Sequence, residues 1–270
     1  MRRALMCLVA FLLLLASPAH AQPQRIVSLD FCADQYVLRL AAPDQIAAVS
    51  RGAGAMDSYE RARARGVPSV RATMEEVAPL RPDLVVRSFG GGPALEAALA
   101  RRNVTILNVG WSENIAQVLT DVRRVSTAFG RQAEGEAFAR QLEARRAALA
   151  RNRPRAQSPV LYLTPGGVTA GRNTMVDAIF REAGAVNAEE GAGWRPAPLE
   201  RLVARQPERV VLSFFDLPAA RADGWSAARH PVMRRIVRET PSVSWPAAWT
   251  ACPTWGALDA AEALQRALPR

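Results

Sequence analysis

Apolar residues along this chain fall in short runs separated by longer amphipathic stretches. Arg25-Ile26-Val27-Ser28-Leu29 reads as a first buried strand, and 33–41 follows with Tyr36, Val37 and Leu40 on one helical face. Short apolar strands recur at 46–49, 84–86, 104–109, 160–163, 209–212 and 243–245, with helical stretches between them, among these 93–101 and 114–129. Strands alternating with helices predict an α/β architecture with largely parallel sheets.

One stretch breaks this rhythm. Residues 131–152 contain no Pro and one Gly, and are otherwise rich in the helix formers Ala, Glu, Gln and Arg. Phe138, Leu142 and Leu149 share a face there, and Glu136 precedes Arg140 at the stabilising i, i+4 spacing. At about 1.5 Å per residue such a helix is roughly 33 Å long. The expectation is two Rossmann-like α/β lobes joined by one long connector helix. Its segments are a leader at 1–21, a first lobe at 22–130, the connector at 131–153 and a second lobe at 154–270.

The halves resemble each other. Residues 73–86 read TMEEVAPLRPDLVV and residues 198–211 read PLERLVARQPERVV. At a constant offset of 125 residues Glu75 meets Glu200, Pro82 meets Pro207, and Ser88-Phe89 meets Ser213-Phe214. A helix–turn–strand–loop unit present once per lobe accounts for the match. Ligands of open α/β sheets bind beyond the carboxyl ends of the strands. Ser88, Phe89 and Phe214 are therefore expected on a common cleft. Asp30, Phe31 and Cys32, just past the first strand, join the same rim, and the Gly- and Thr-rich stretch 164–173 does so for the second lobe.

The N-terminus sets the compartment. Arg2 and Arg3, an apolar run over 5–16 and the small residues Ala19 and Ala21 form the pattern of a secretory leader, with cleavage expected after Ala21. The run is shorter than the roughly 18 residues that span a bilayer. Export places the mature chain in the periplasm and argues against nucleic acid as a partner. The net charge of +10 rests entirely on Arg, since the chain has no Lys. Such basic character favours an anionic ligand or a membrane surface. Cys7 leaves with the leader, and no Cys stands at the cleavage site to carry a lipid. Cys32 and Cys252 remain, 220 residues apart. Pairing, which an oxidising compartment promotes, is one reading; free thiols or thiol contact with a metal centre are the others.

Trp194, Trp245, Trp249 and Trp255 cluster late in the chain among Pro and Gly. They read either as core or as a stacking wall for a large, partly apolar ligand. Arg172, in a Gly-Arg-Asn loop, is placed to meet a carboxylate or phosphate.

Four segments then carry a resemblance: RIVSLDFCADQ, EEVAPLRPDLVV, TAGRNTMVDAIFREAGAVN and WPAAWTACPTWGALDAAEAL. In this order they resemble the helical-backbone (class III) periplasmic binding proteins of ABC importers, over nearly all of residues 25–268. The resemblance implies a monomer with no cofactor of its own. It would capture a cobalamin or other corrinoid, or a ferric siderophore, between two lobes and deliver it to an ABC permease in the inner membrane. Glu75 and Glu200 correspond to the acidic pair that docks such proteins onto permease arginines, with Glu76 a weaker candidate. Trp194 and Trp249 correspond to pocket positions in the cobalamin-binding members. A Glu in a first helical turn also serves the helix dipole, so both Glu keep a structural reading.

Other classes fit poorly. Acyl-transfer chemistry wants a nucleophile with a His base, and past the leader only His230 remains. Gly90-Gly91-Gly92 follows a strand but lacks the Lys-Ser/Thr ending of a phosphate loop. No catalytic set and no resident metal site is expected. A bare zinc or manganese carrier would need several His, Asp or Glu ligands. A haem carrier of related fold is a further alternative.

Overall fold

The central strands, which read as unbroken apolar runs, are buried on both faces, as in other parallel sheets. The computed structural model describes residues 23–154, 158–204, 207–218 and 230–269; the expected leader lies outside them. In the first lobe β1 (Ile26–Ser28) is fully buried. Asp30 then starts α1 (Phe31–Leu40), its Oδ1 accepting the Ala33 N–H at 3.0 Å. β2 (Ile46–Ser50), β3 (Ser69–Val70), α2 (Met74–Val77), β4 (Leu84–Arg87), α3 (Gly92–Ala100), β5 (Thr105–Asn108) and α4 (Ile115–Ala128) complete the lobe. Its sheet has the order β3-β2-β1-β4-β5, and every pair is parallel.

α5 (Gln132–Arg151) leads into the second lobe. There β6 (Pro159–Leu163), β7 (Val168–Ala170), α6 (Met175–Ala183), β8 (Val186–Asn187), β9 (Trp194–Pro196) and α7 (Leu199–Ala204) come first. β10 (Arg209–Ser213), α8 (Pro231–Glu239), β11 (Ser242–Trp245) and α9 (Gly256–Ala267) follow. β11-β10-β6-β8 form a parallel sheet, while β7 and β9 make a separate antiparallel ribbon.

The two parallel sheets share a topology. Each begins in the middle, steps to one side (β2, β8), and returns to the other (β4, β10). The chain therefore reverses between β1 and β4 in one lobe and between β6 and β10 in the other. Such switch points are where open α/β sheets hold ligands. The sequence repeat falls on α2–β4 and α7–β10.

Separate outer cores exist: Val27, Val85 and Leu99 in the first lobe, Leu163, Val210 and Met233 in the second. Between the lobes, however, one core is continuous. It runs from Ile26 and Val86 through Leu142 and Leu149 of α5 to Phe180, Trp245 and Leu264. α5 thus belongs to both lobes: its buried residues join that core, while Glu136 and Glu143 on its other face pair with Arg123 of α4. Among the described residues no helix is long and apolar enough to cross a membrane.

Candidate ligand cleft

At the first switch point one carboxylate organises two loops. Asp30 is buried, and its Oδ2 accepts the N–H groups of Ser88 at 2.7 Å, Phe89 at 3.1 Å and Gly90 at 2.9 Å. Added to the Ala33 bond, these use the carboxylate fully. Asp30 thus acts as a clasp beneath the rim: the loop after β4 brings three backbone donors onto its Oδ2. The Gly run answers to the same packing. A Cβ on Gly90 would lie 2.6 Å from the Leu29 carbonyl oxygen, and Gly91 adopts φ +93°, where a side chain is strained.

Held this way, Phe89 stands 54% exposed and meets Phe31 edge-on, ring centres 5.8 Å apart. Ser88 is partly buried beside it. Cys32 is buried and joined to Cys252, Cα–Cα 5.4 Å. The bridge seats the segment around Thr250 and Pro253 against the start of α1.

That segment closes a cavity of ≈210 Å³. Trp111 and Glu113, after β5, line it from the first lobe; Asn173, Met175 and Trp194 line it from the second, with Thr250 and Pro253. Trp111 is 54% and Trp194 48% exposed. Ligand pockets measure roughly 300–1,000 Å³, so this cavity takes an edge of a large ligand while the aromatic rings flank the rest. A larger recess of ≈540 Å³ lies between α7 and the edge strand β8, but it gathers no aromatic side chains and stands apart from both switch points.

The four late tryptophans separate. Trp245 packs against Tyr162 and Phe180, and Trp255 meets Tyr36, Tyr59 and Phe138 edge-on. Both are core, the first of the two readings: β11 and the start of α9 turn them toward the shared helical layer. Trp249 is partly buried against the same core. Trp194 rides on the β7–β9 ribbon and meets Tyr162 edge-on at 5.8 Å. Arg172 is exposed on the neighbouring turn, bridged through its backbone to Gly191 and Gly193. Phe214, just past β10, has φ +68°, an uncommon conformation for a bulky side chain and one that clusters at functional sites. Glu75 and Glu200 are exposed in the first turns of α2 and α7. The Glu75 backbone N–H and the Thr73 hydroxyl hold the Glu75 carboxyl below its usual range. Glu76 is taken up by Arg71 at 2.6 Å and Arg51 at 3.1 Å.

Comparison with known proteins now decides the family. A model of the periplasmic binding protein family matches residues 26–214. The chain belongs to that family. Comparison with curated proteins finds no match. Solved structures match over nearly the whole binding protein. The periplasmic heme-binding protein RhuT from Roseiflexus sp. RS-1 is 25% identical with a TM-score of 0.68, covering 90% of this chain and 98% of that one. The periplasmic heme-binding protein HutB of Vibrio cholerae is 20% identical with a TM-score of 0.74, covering 90% and 98%. The periplasmic vitamin B12 binding protein BtuF of Vibrio cholerae is 22% identical with a TM-score of 0.65, covering 91% and 96%. These likenesses establish the binding-protein fold: two α/β lobes.

Trp111 is the cleft residue that sequence reasoning missed. Its signal was present, because Val109-Gly110-Trp111 follows β5 just as Ser88-Phe89 follows β4. The repeat drew attention to Phe89 and offered no counterpart for Trp111.

Proposed function

We propose that this binding protein captures a metal chelate in the cleft between its lobes and hands it to an ABC permease, without chemical turnover. One observation carries the reading: two exposed tryptophans, Trp111 and Trp194, line one cavity from opposite lobes. Flat aromatic surface of this kind suits a ligand with extended apolar faces. The neighbours named for heme and vitamin B12 support a metal-centred ligand.

The donor set narrows the chelate. A haem carrier closes the iron's coordination with His, Met, Cys or Tyr. Tyr36 and Tyr162 are buried, and Tyr59 donates to Asp259 at 2.5 Å. Cys32 and Cys252 are joined, and His230 Nδ1 accepts the Val232 N–H at the start of α8. The thioether of Met175, a weak donor, is what the cavity wall offers. Among the described residues no group of three or more His, Cys, Asp or Glu is arranged to hold a bare ion. These facts favour a chelate that arrives with its metal fully coordinated, a corrinoid or ferric siderophore, over haem or a free ion.

Titration of the purified protein with cyanocobalamin, ferrichrome and hemin, followed by Trp fluorescence and absorbance, tests this. Saturable quenching by cyanocobalamin or ferrichrome is expected, and Trp111→Ala and Trp194→Ala should each weaken it roughly tenfold, about 1.4 kcal/mol. No saturable change with any of the three would sink the reading.

A further inference from the structure

Beneath Trp194 lie polar atoms that the fold itself leaves without a use. The Tyr162 hydroxyl is buried on β6 and, among the described residues, makes no hydrogen bond of good geometry, although the Ser213 and Thr250 hydroxyls stand close enough to act on it. Trp245 Nε1 on β11 and Thr169 Oγ1 on β7, in the same lobe, likewise make no hydrogen bond among the described residues. Unsatisfied buried polar groups are rare in native proteins and call for an explanation. Burial raises the Tyr162 hydroxyl above its ordinary range, opposed by the neighbouring Ser213 and Thr250 hydroxyls. Those two share a hydrogen bond of 2.8 Å.

This places three hydroxyls at the carboxyl end of the second sheet, at its switch point, just below the cleft. Thr250 also lines the cavity between Trp111 and Trp194, so the group borders the ligand space directly. Trp194, half exposed and edge-on to Tyr162 at 5.8 Å, covers it.

We propose that Tyr162, Ser213 and Thr250 form a polar subsite that receives a neutral donor–acceptor group on the rim of the ligand, a carboxamide being the type, when Trp194 turns aside. The inference rests on the reading of the cleft as a chelate site. Three arguments fix the chemistry. No charged side chain acts on Tyr162, and burying an unpaired ionised group there would be prohibitive. A hydroxyl both donates and accepts, so a cluster of hydroxyls matches an amide, which offers C=O and N–H together. A site built to hydrogen-bond a substrate group discriminates strongly against analogues lacking it. Arg172 on the exposed turn would instead meet an anionic edge at the mouth.

The test uses the full-length mature protein and its Tyr162→Phe and Thr250→Val variants with three probes: cyanocobalamin, whose rim carries carboxamides; ferrichrome, whose backbone carries amides; and hemin, whose rim carries carboxylates. The expected result is binding of an amide-bearing probe about tenfold weaker in Tyr162→Phe, with the melting midpoint not lowered, because the hydroxyl has no internal bond of good geometry to give up. Thr250→Val should lose affinity for the same probe. Equal affinity in Tyr162→Phe overturns the subsite. A lowered melting midpoint in that variant also overturns it, whatever the affinity does, because the hydroxyl then serves the fold through a buried water. Binding of hemin alone overturns the neutral subsite and leaves a chelate carrier standing. Binding of none of the three overturns the chelate reading itself, and the subsite with it.

Discussion

Burial pushes the Asp34 carboxyl up to about 6 from an ordinary 3.8; hydrogen bonds from Ser28 and Ser50 oppose the shift, and the Asp30 charge adds to it. Asp34 accepts the Ser50 N–H at 2.9 Å and the Ser50 hydroxyl at 2.6 Å, tying α1 to the end of β2. Between pH 4 and 6 the folded state therefore holds a proton that the unfolded chain has already lost. Stability from this group is full below about pH 4 and is lost as pH rises through 6, by an upper bound of about 3 kcal/mol at 1.36 kcal/mol per unit. Asp34→Asn abolishes the titration and keeps an acceptor for Ser50. Denaturant melts should thus show wild type losing ground to Asp34→Asn between pH 4 and 7. A constant difference would mean that the carboxyl is solvated. Residues of this kind mark where sequence reasoning stops. Asp30 and Phe31 occupy neighbouring positions after the same strand, yet one is consumed by a loop 58 residues away and the other meets a cleft aromatic. Trp194 and Trp245 carry equal sequence signals, and only the path of β11 buries the second.

At the scale of elements the period of the pattern was enough, because parallel strands buried on both faces write themselves as apolar runs. The α5 helix and the α2–β4 and α7–β10 units were legible for that reason. The β7–β9 ribbon was not: three residues per strand leave no period to read, though it carries Trp194. The repeat also frames the docking pair. Glu75 and Glu200 sit in matching first turns, exposed, one per lobe, as a two-lobed protein seated on a symmetric permease would need; Glu76 is less suited because two Arg already hold it. Charges at an exposed rim act mainly on encounter, and a first-turn carboxylate contributes only about 0.3–1 kcal/mol to its helix. Glu75→Ala with Glu200→Ala should leave ligand affinity and the melting midpoint nearly unchanged while abolishing most ligand uptake in cells or reconstituted vesicles. Full uptake by the double variant would reduce both residues to helix-start charges.

For the whole molecule the question is what keeps two lobes in one arrangement. The chain leaves the second lobe after β11 and returns to the first, and that return is fastened repeatedly. Cys252 joins Cys32, Trp255 Nε1 donates to Glu60 at 3.1 Å, and the Tyr59 hydroxyl donates to Asp259 at 2.5 Å. Arg145 of α5 holds Asp259 at 2.8 Å and Glu262 at 2.7 Å from behind. With a core already continuous through α5, these ties leave little for a wide hinge to move. The bridge closes a loop with a separation of 220 residues; constraining so much unfolded chain is worth up to about 5 kcal/mol, although measured gains are often smaller. It also fixes two neighbours of the cleft, Phe31 on one side and Pro253 on the other. Cys32→Ala with Cys252→Ala should therefore lower the melting midpoint and weaken chelate binding together, the second because Pro253 no longer stands fixed against α1. Protein purified from the periplasm without reductant should show no free thiol by mass spectrometry after alkylation. Two alkylated cysteines in that material would remove the bridge from the account, and Glu60, Tyr59 and Arg145 would then have to hold the return of the chain alone.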